Sequence, residues 1–141
     1  MQSRREFVKK TGILTTGICC SAGILSLLES CSSTKSIAGI IEGNVIKLNV
    51  SDFGESKFLV IRNDKLSAPI YLTKIDEKYK AFLMLCTHKQ CELKASGQVM
   101  ICPCHGSEFS NEGVVLSAPA EENLKEYKVI LNKEEIKIDL K

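Results

Sequence analysis

The segment Cys86-Thr-His-Lys-Gln-Cys-Glu-Leu-Lys-Ala-Ser-Gly-Gln-Val-Met-Ile-Cys-Pro-Cys-His-Gly-Ser-Glu-Phe109 decides how this chain is read. It holds four of the seven cysteines and both histidines of the 141 residues. Two half-sites face each other in it, Cys86-x-His88 and Cys102-x-x-His105. Each offers one thiolate and one imidazole, and a hairpin-like apolar connection around Ser96-Gly97 separates them. A second cysteine pair, Cys91 and Cys104, lies just outside the first half-site and just inside the second. Two soft thiolates with two imidazoles suit either a tetrahedral zinc ion or an iron–sulfur cluster. Zinc leaves the extra cysteine pair without a use, and its usual spacing sets two cysteines apart from two histidines, whereas here each half-site mixes the two.

The C-x-H and C-x-x-H pattern resembles the Rieske family. The resemblance implies one [2Fe–2S] cluster, with Cys86 and Cys102 on one iron and His88 and His105 on the other. It also implies a disulfide between Cys91 and Cys104 that ties the two cluster loops together. Such a bridge stabilises by on the order of 3 kcal/mol through the loop it closes. Two ferric irons, two sulfides, two thiolates and two neutral imidazoles carry no net charge, while an all-cysteine cluster is doubly negative. The neutral centre accepts an electron more readily, so its potential is expected above that of plant-type ferredoxins. The outward-facing imidazole N–H groups allow electron gain to couple to proton gain.

The flanks refine this expectation. Cys-Pro-Cys-His-Gly-Ser is similar to the respiratory and photosynthetic members, in which the residue matching Ser107 hydrogen-bonds a cluster sulfide and raises the potential. Those proteins carry a tyrosine where this chain has Phe109, so one hydroxyl donor is missing and a lower potential is expected. The family's Cys-Thr-His-Leu-Gly-Cys loop has Lys89 and Gln90 in place of leucine and glycine. Lys89 makes the tip polar, less suited to a quinol pocket and compatible with an acidic protein partner. Gln90 is strained if its φ is positive. Ala118-Pro119-Ala120-Glu121 matches the proline-containing loop that covers the cluster from the other side.

The first thirty residues read as a targeting segment. Ser3-Arg4-Arg5-Glu6-Phe7-Val8-Lys9 resembles a twin-arginine export signal, a route that carries already folded, cofactor-loaded domains. Thr11 to Leu28 is apolar and free of charge, about 27 Å if helical, a borderline span of a bilayer core. Leu28-Glu29-Ser30-Cys31 resembles a lipobox, so cleavage before Cys31 and lipidation of that cysteine are expected in preference to a retained anchor helix. Cys19 and Cys20 are read as small hydrophobes of this segment. The cysteines are then all assigned: two in the signal, one lipid site, two cluster ligands and one bridged pair.

Residues 1–30 hold four basic and two acidic side chains, which leaves 15 of each sign in the rest of the chain. With no basic stripe, nucleic acid is excluded as a partner. Ser32 to Gly39 reads as a polar linker, so that 31–44 joins the targeting segment to a domain over 45–141. There the pattern is all-β: strands over Val45–Val50, Phe58–Arg62, Ile70–Lys74, Tyr79–Leu85 and Val114–Leu116, then a hairpin of Tyr127–Leu131 and Glu135–Leu140 about Asn132-Lys133. Short strands with frequent turns predict an antiparallel sandwich or small barrel, and the Rieske fold implied by the resemblance places the cluster loops at one tip of it.

Two functions fit. One is the iron–sulfur subunit of a membrane quinol-oxidising complex of the cytochrome bc type, passing electrons from quinol to an acceptor such as a cytochrome c on the periplasmic side. The other is the small subunit or donor of a periplasmic oxidoreductase similar to arsenite oxidase. A self-sufficient Rieske oxygenase is excluded, because it needs further histidines for a mononuclear iron and this chain has none to spare.

Overall fold

The structure, a computed structural model, describes residues 34–141. The expected export signal, the apolar run and Cys31 lie outside the described residues. Among those described, no helix is long and apolar enough to cross a membrane.

Twelve strands and one helical turn make up the chain from Ser36 onward: β1 Ser36–Ala38, β2 Ile40–Glu42, β3 Val45–Asn49, α1 Val50–Phe53, β4 Phe58–Arg62, β5 Ile70–Ile75, β6 Lys78–Leu83, β7 Lys94–Ser96, β8 Val99–Ile101, β9 Glu108–Ser110, β10 Val115–Ser117, β11 Glu126–Asn132 and β12 Glu135–Asp139. The all-β expectation holds. The linker expected over Ser32 to Gly39 ends earlier than its polar sequence suggests, because Ser36–Ala38 pairs in parallel with Val60–Arg62 and gains a ladder of backbone hydrogen bonds. The expected strand end at Val50 also moves. Asn49 instead caps a single turn, with Asp52 Oδ2 accepting the Asn49 N–H at 2.9 Å.

Eight strands form one sheet in the order β1-β4-β5-β6-β11-β12-β3-β2. Its two edge strands are consecutive in the chain, so the sheet curls until β1 and β2 nearly close it into a barrel. Gly39 sits at the seam between them, and its N–H donates to the Arg62 carbonyl at 3.2 Å. A Cβ at this position would lie 2.6 Å from Ile61 Cγ2 and 3.0 Å from Ile46 Cγ2. Only glycine lets the strand cross so close to the barrel core.

The other four strands form a second sheet in the order β10-β9-β8-β7. Strands β4, β5 and β6 serve as a wall common to both layers, which the period-two alternation of their side chains explains. Leu59, Ile61, Ile70, Leu72 and Ala81 face the barrel core with Ile46, Ile136 and Ile138. The intervening Val60, Tyr71 and Phe82 face the smaller sheet with Met84, Leu93, Met100 and Phe109. Each fully buried aliphatic side chain stabilises by roughly 1.5–3 kcal/mol, so both layers carry a true core. Two exposed ion pairs, Arg62–Glu92 and Lys80–Glu112, both 2.8 Å, link the layers at the surface.

Tyr71 is the one costly feature of this wall. It is fully buried, stacked on Phe58 at 5.0 Å between ring centroids. Its hydroxyl has no hydrogen-bond partner. Burial pushes the phenol up to about 12, and nearby Thr73 offsets this only in part. The Thr73 hydroxyl itself donates to the Lys57 carbonyl at 3.2 Å.

Candidate metal centre

Two loops at the end of the smaller sheet carry the Cys and His residues, and they are built alike. In the first, the Cys86 N–H donates to the Cys91 carbonyl at 2.8 Å and the Gln90 N–H returns to the Cys86 carbonyl at 2.7 Å. In the second, the Cys102 N–H donates to the Ser107 carbonyl at 2.8 Å and the Gly106 N–H returns to the Cys102 carbonyl at 3.0 Å. Both turns need a left-handed residue at the fifth position. Glycine supplies it at Gly106, φ 79°, while Gln90 is forced to φ 55°. The strain anticipated at Gln90 is therefore present.

The β7–β8 hairpin brings the loops together. It turns at Gly97, φ 61°, where the Ser96-Gly97 turn was expected. Its register pairs Lys94 with Ile101. Continued past the open end, that register sets Cys91 opposite Cys104, and these two form the disulfide that the resemblance implied, with Cα atoms 6.5 Å apart. Cys86 and Cys102 are the free cysteines among the described residues, and both are buried.

The two thiols are in mutual contact. Burial alone would raise the Cys86 thiol. The His88 N–H, the Cys102 side chain, the Ser107 hydroxyl and the Lys89 N–H outweigh it and hold the thiol below its ordinary value. The two imidazoles also meet, edge to face, with ring centroids 4.9 Å apart. His88 is half-buried and His105 is exposed. His88 Nδ1 is buried and has no hydrogen-bond partner. A paired thiolate site ringed by donors, beside an imidazole nitrogen with no protein partner, is the donor set of a cluster with one sulfur-held and one nitrogen-held metal. The residues present fit that group.

A third loop closes over both. The buried Ser107 hydroxyl, 0% exposed, accepts the Ala120 N–H at 3.0 Å. The Thr87 hydroxyl donates to the Glu122 carbonyl at 2.7 Å. Asn123 Oδ1 accepts the Val115 N–H at 3.0 Å and anchors the loop's far end. The roles of Thr87 and Ala120 were not anticipated. Their partners are main-chain atoms distant in sequence, and only the covering position of residues 118–121 was visible in advance. Phe109 is fully buried among Met100, Cys102 and Met84. Lys89 is exposed at the tip beside His88.

Residues 43–128 match the Rieske [2Fe-2S] domain family. The chain belongs to that family. The Rieske domain holds one [2Fe–2S] cluster. It is 32% identical over 69 residues to the cytochrome b6-f complex iron-sulfur subunit of Triticum aestivum chloroplasts, which covers 48% of this chain and 27% of that protein. It is 33% identical over 69 residues to the corresponding subunit of Microcystis aeruginosa, 48% of this chain and 33% of that protein. The Rieske chain thus spans about a quarter to a third of the length of these curated relatives. Among solved structures it resembles the cyanobacterial plasma membrane Rieske protein of Synechocystis PCC 6803, with a TM-score of 0.54 and 26% identity over 65% of this chain and 98% of that one. The fold alone is also like a chain of a hyperthermophilic respiratory Complex III, with a TM-score of 0.52 and 19% identity over 64% of this chain and 71% of that one.

Proposed function

We propose that this Rieske domain is a membrane-tethered electron carrier on the periplasmic side of a bacterial membrane, the iron–sulfur subunit of a quinol-oxidising complex of the cytochrome bc type. Cys86 and Cys102 hold one iron, and His88 and His105 hold the other. The observation that carries the assignment is the pairing itself: thiol with thiol in a buried, donor-rich pocket, and imidazole with imidazole at the outer end. A [2Fe–2S] cluster bound there supplies one-electron transfer at a potential raised by its two neutral ligands. The chain's own residues do the rest. Backbone N–H groups and the Ser107 hydroxyl stabilise negative charge on Cys86. The third loop keeps water from the thiolate side, and exposed His105 offers the route by which a partner is reached.

Similarity to cytochrome b6-f iron-sulfur subunits supports the bc-type reading. The twin-arginine-like motif and the lipobox-like Cys31 support export and a lipid tether. Lys89 and Phe109 favour the second reading, a small subunit or donor of a periplasmic oxidoreductase similar to arsenite oxidase, in which a polar tip meets an acidic partner. Purification from membranes under mild detergent separates the two. A co-purifying cytochrome b supports the first, and a molybdenum-containing subunit replaces it with the second. Electron paramagnetic resonance of the reduced protein is expected to show a mixed-ligand [2Fe–2S] signal, lost in His88→Ala and His105→Ala; retention of the signal in either variant refutes the ligand set. Mass spectrometry of the mature N-terminus tests the tether, and an intact Met1 rules out lipidation of Cys31.

A further inference from the structure

Three of the four cysteines in the domain occupy one side of the open end of the β7–β8 hairpin. Cys91 lies opposite Cys104 in the continued register, and Cys102 lies two residues before Cys104. Cys102 is buried just beyond the end of β8, at the start of the turn that carries Cys104. The sulfur atoms of Cys91, Cys102 and Cys104 all lie within 4.8 Å of one another. Two of them form the disulfide, and the third is a free, buried thiol. Cys104 is exposed and Cys91 half-buried.

We infer that Cys102 is poised to attack the adjoining disulfide and is held back by its bond to iron, so that a chain that loses its cluster rearranges to a Cys91–Cys102 disulfide and can no longer reload. The inference rests on the reading that Cys102 is a cluster ligand. The step is a thiol–disulfide exchange and needs no outside oxidant. Cys102 thiolate bonds to Cys91 Sγ as the Cys91–Cys104 bond breaks, and Cys104 leaves as a thiolate that takes a proton from water. One disulfide and one thiol are present before and after. Attack on Cys91 is preferred over attack on Cys104, because the latter joins two cysteines separated by a single residue in a strained ring. Cys104 also leaves into solvent, where a thiolate is well hydrated. The exchange separates two thiols that otherwise face each other in a buried pocket without metal between them.

The experiment uses the full chain, first loaded with its cluster and then stripped by an iron chelator without reductant. Free thiols are alkylated and the disulfides mapped by peptide mass spectrometry. Loaded protein is expected to show only the Cys91–Cys104 bridge. Stripped protein is expected to show a Cys91–Cys102 bridge with Cys86 and Cys104 alkylated. Cluster reloading should fall roughly tenfold and be restored by dithiothreitol, as for a disulfide-blocked ligand. Continued alkylation of Cys102 in the stripped protein overturns the inference. Equal entry of Cys86 into disulfides overturns it too, since that marks random scrambling of an unfolded chain. Cys86→Ser, unable to hold a complete cluster, should show the exchanged bridge as purified, and an intact Cys91–Cys104 bridge there is a second refutation. Cys102→Ser should keep Cys91–Cys104 after stripping. The iron content of that variant tests the ligand reading separately, because full cluster occupancy would remove Cys102 from the ligand set whatever the disulfides do.

Discussion

Phenylalanine and tyrosine at position 109 differ by one oxygen atom, and burial of that position in the same cluster as Cys102 makes the atom matter in principle. Phe109 is fully buried beside Cys102, so no hydroxyl reaches the sulfurs from that side. Phe109→Tyr is expected to raise the reduction potential by on the order of 50 mV, the one-electron equivalent of one modest hydrogen bond. A redox titration of wild type and variant checks this, and no upward shift counts against it. Ser107→Ala is expected to lower the potential and also to loosen the third loop, because it leaves the Ala120 N–H buried without an acceptor, at a cost of about 1–3 kcal/mol. Gln90→Gly removes the left-handed strain at φ 55° but frees the unfolded chain, for a net gain of about 0.5–1 kcal/mol in chemical denaturation. Tyr71 gives the pH dependence. Its folded-state value, about 12, lies above the ordinary phenol value of 10.0. The folded state therefore holds the phenol proton longer, and its contribution is full below pH 10 and is lost as pH rises towards 12. Tyr71→Phe should flatten the fall of stability across that window and stabilise by about 1 kcal/mol at neutral pH, because an unpartnered buried hydroxyl is removed.

At the scale of elements, short-range chemistry was legible and long-range closure was not. The paired loops were readable because ligand spacing is local, and the Ser96-Gly97 turn because glycine marks it. Strand β4 falls where its unbroken apolar run Phe58 to Ile61 puts it, and the β11–β12 hairpin is within a residue of its expected bounds. Strands β1 and β2 were missed. Each has only three residues, too short for a periodic pattern, and they become strands by pairing with β4 and β3 at the barrel seam. Strand β9 has three residues, too few for its alternation to register. Glycine at 113 was likewise silent in sequence. It has φ 72°, and a Cβ there would lie 2.6 Å from Phe82 Cδ1. Gly113→Ala is expected to destabilise by roughly 2–4 kcal/mol, combining backbone strain with overpacking against a buried ring. Thermal unfolding of the loaded protein measures it.

On the scale of the whole molecule, the common wall β4–β5–β6 makes the barrel and the cluster-bearing sheet one packed unit. The disulfide then secures the outer end of the cluster loops, where Cys104 is exposed and Cys91 packs only at the margin of the smaller core. Cys91→Ala with Cys104→Ala should cost about 2–4 kcal/mol. The loss is expected to show as faster release of iron, with less change in the unfolding of the barrel core, when visible absorbance and far-ultraviolet dichroism are followed in parallel.

The covering loop is tied to the two cluster loops through its own backbone: the Ala120 N–H meets Ser107 and the Glu122 carbonyl meets Thr87. The side chains of Glu121 and Glu122 take no part in either tie. In a saturation-mutagenesis library, those two codons should therefore drift freely, and any residue with an ordinary amide linkage will serve there. Thr87 and Ser107, which look like unremarkable small polar residues, should tolerate almost nothing that lacks a hydroxyl. The segment that shields the metal is free to become a recognition surface for whichever partner a lineage acquires, while the two hydroxyls beneath it stay fixed.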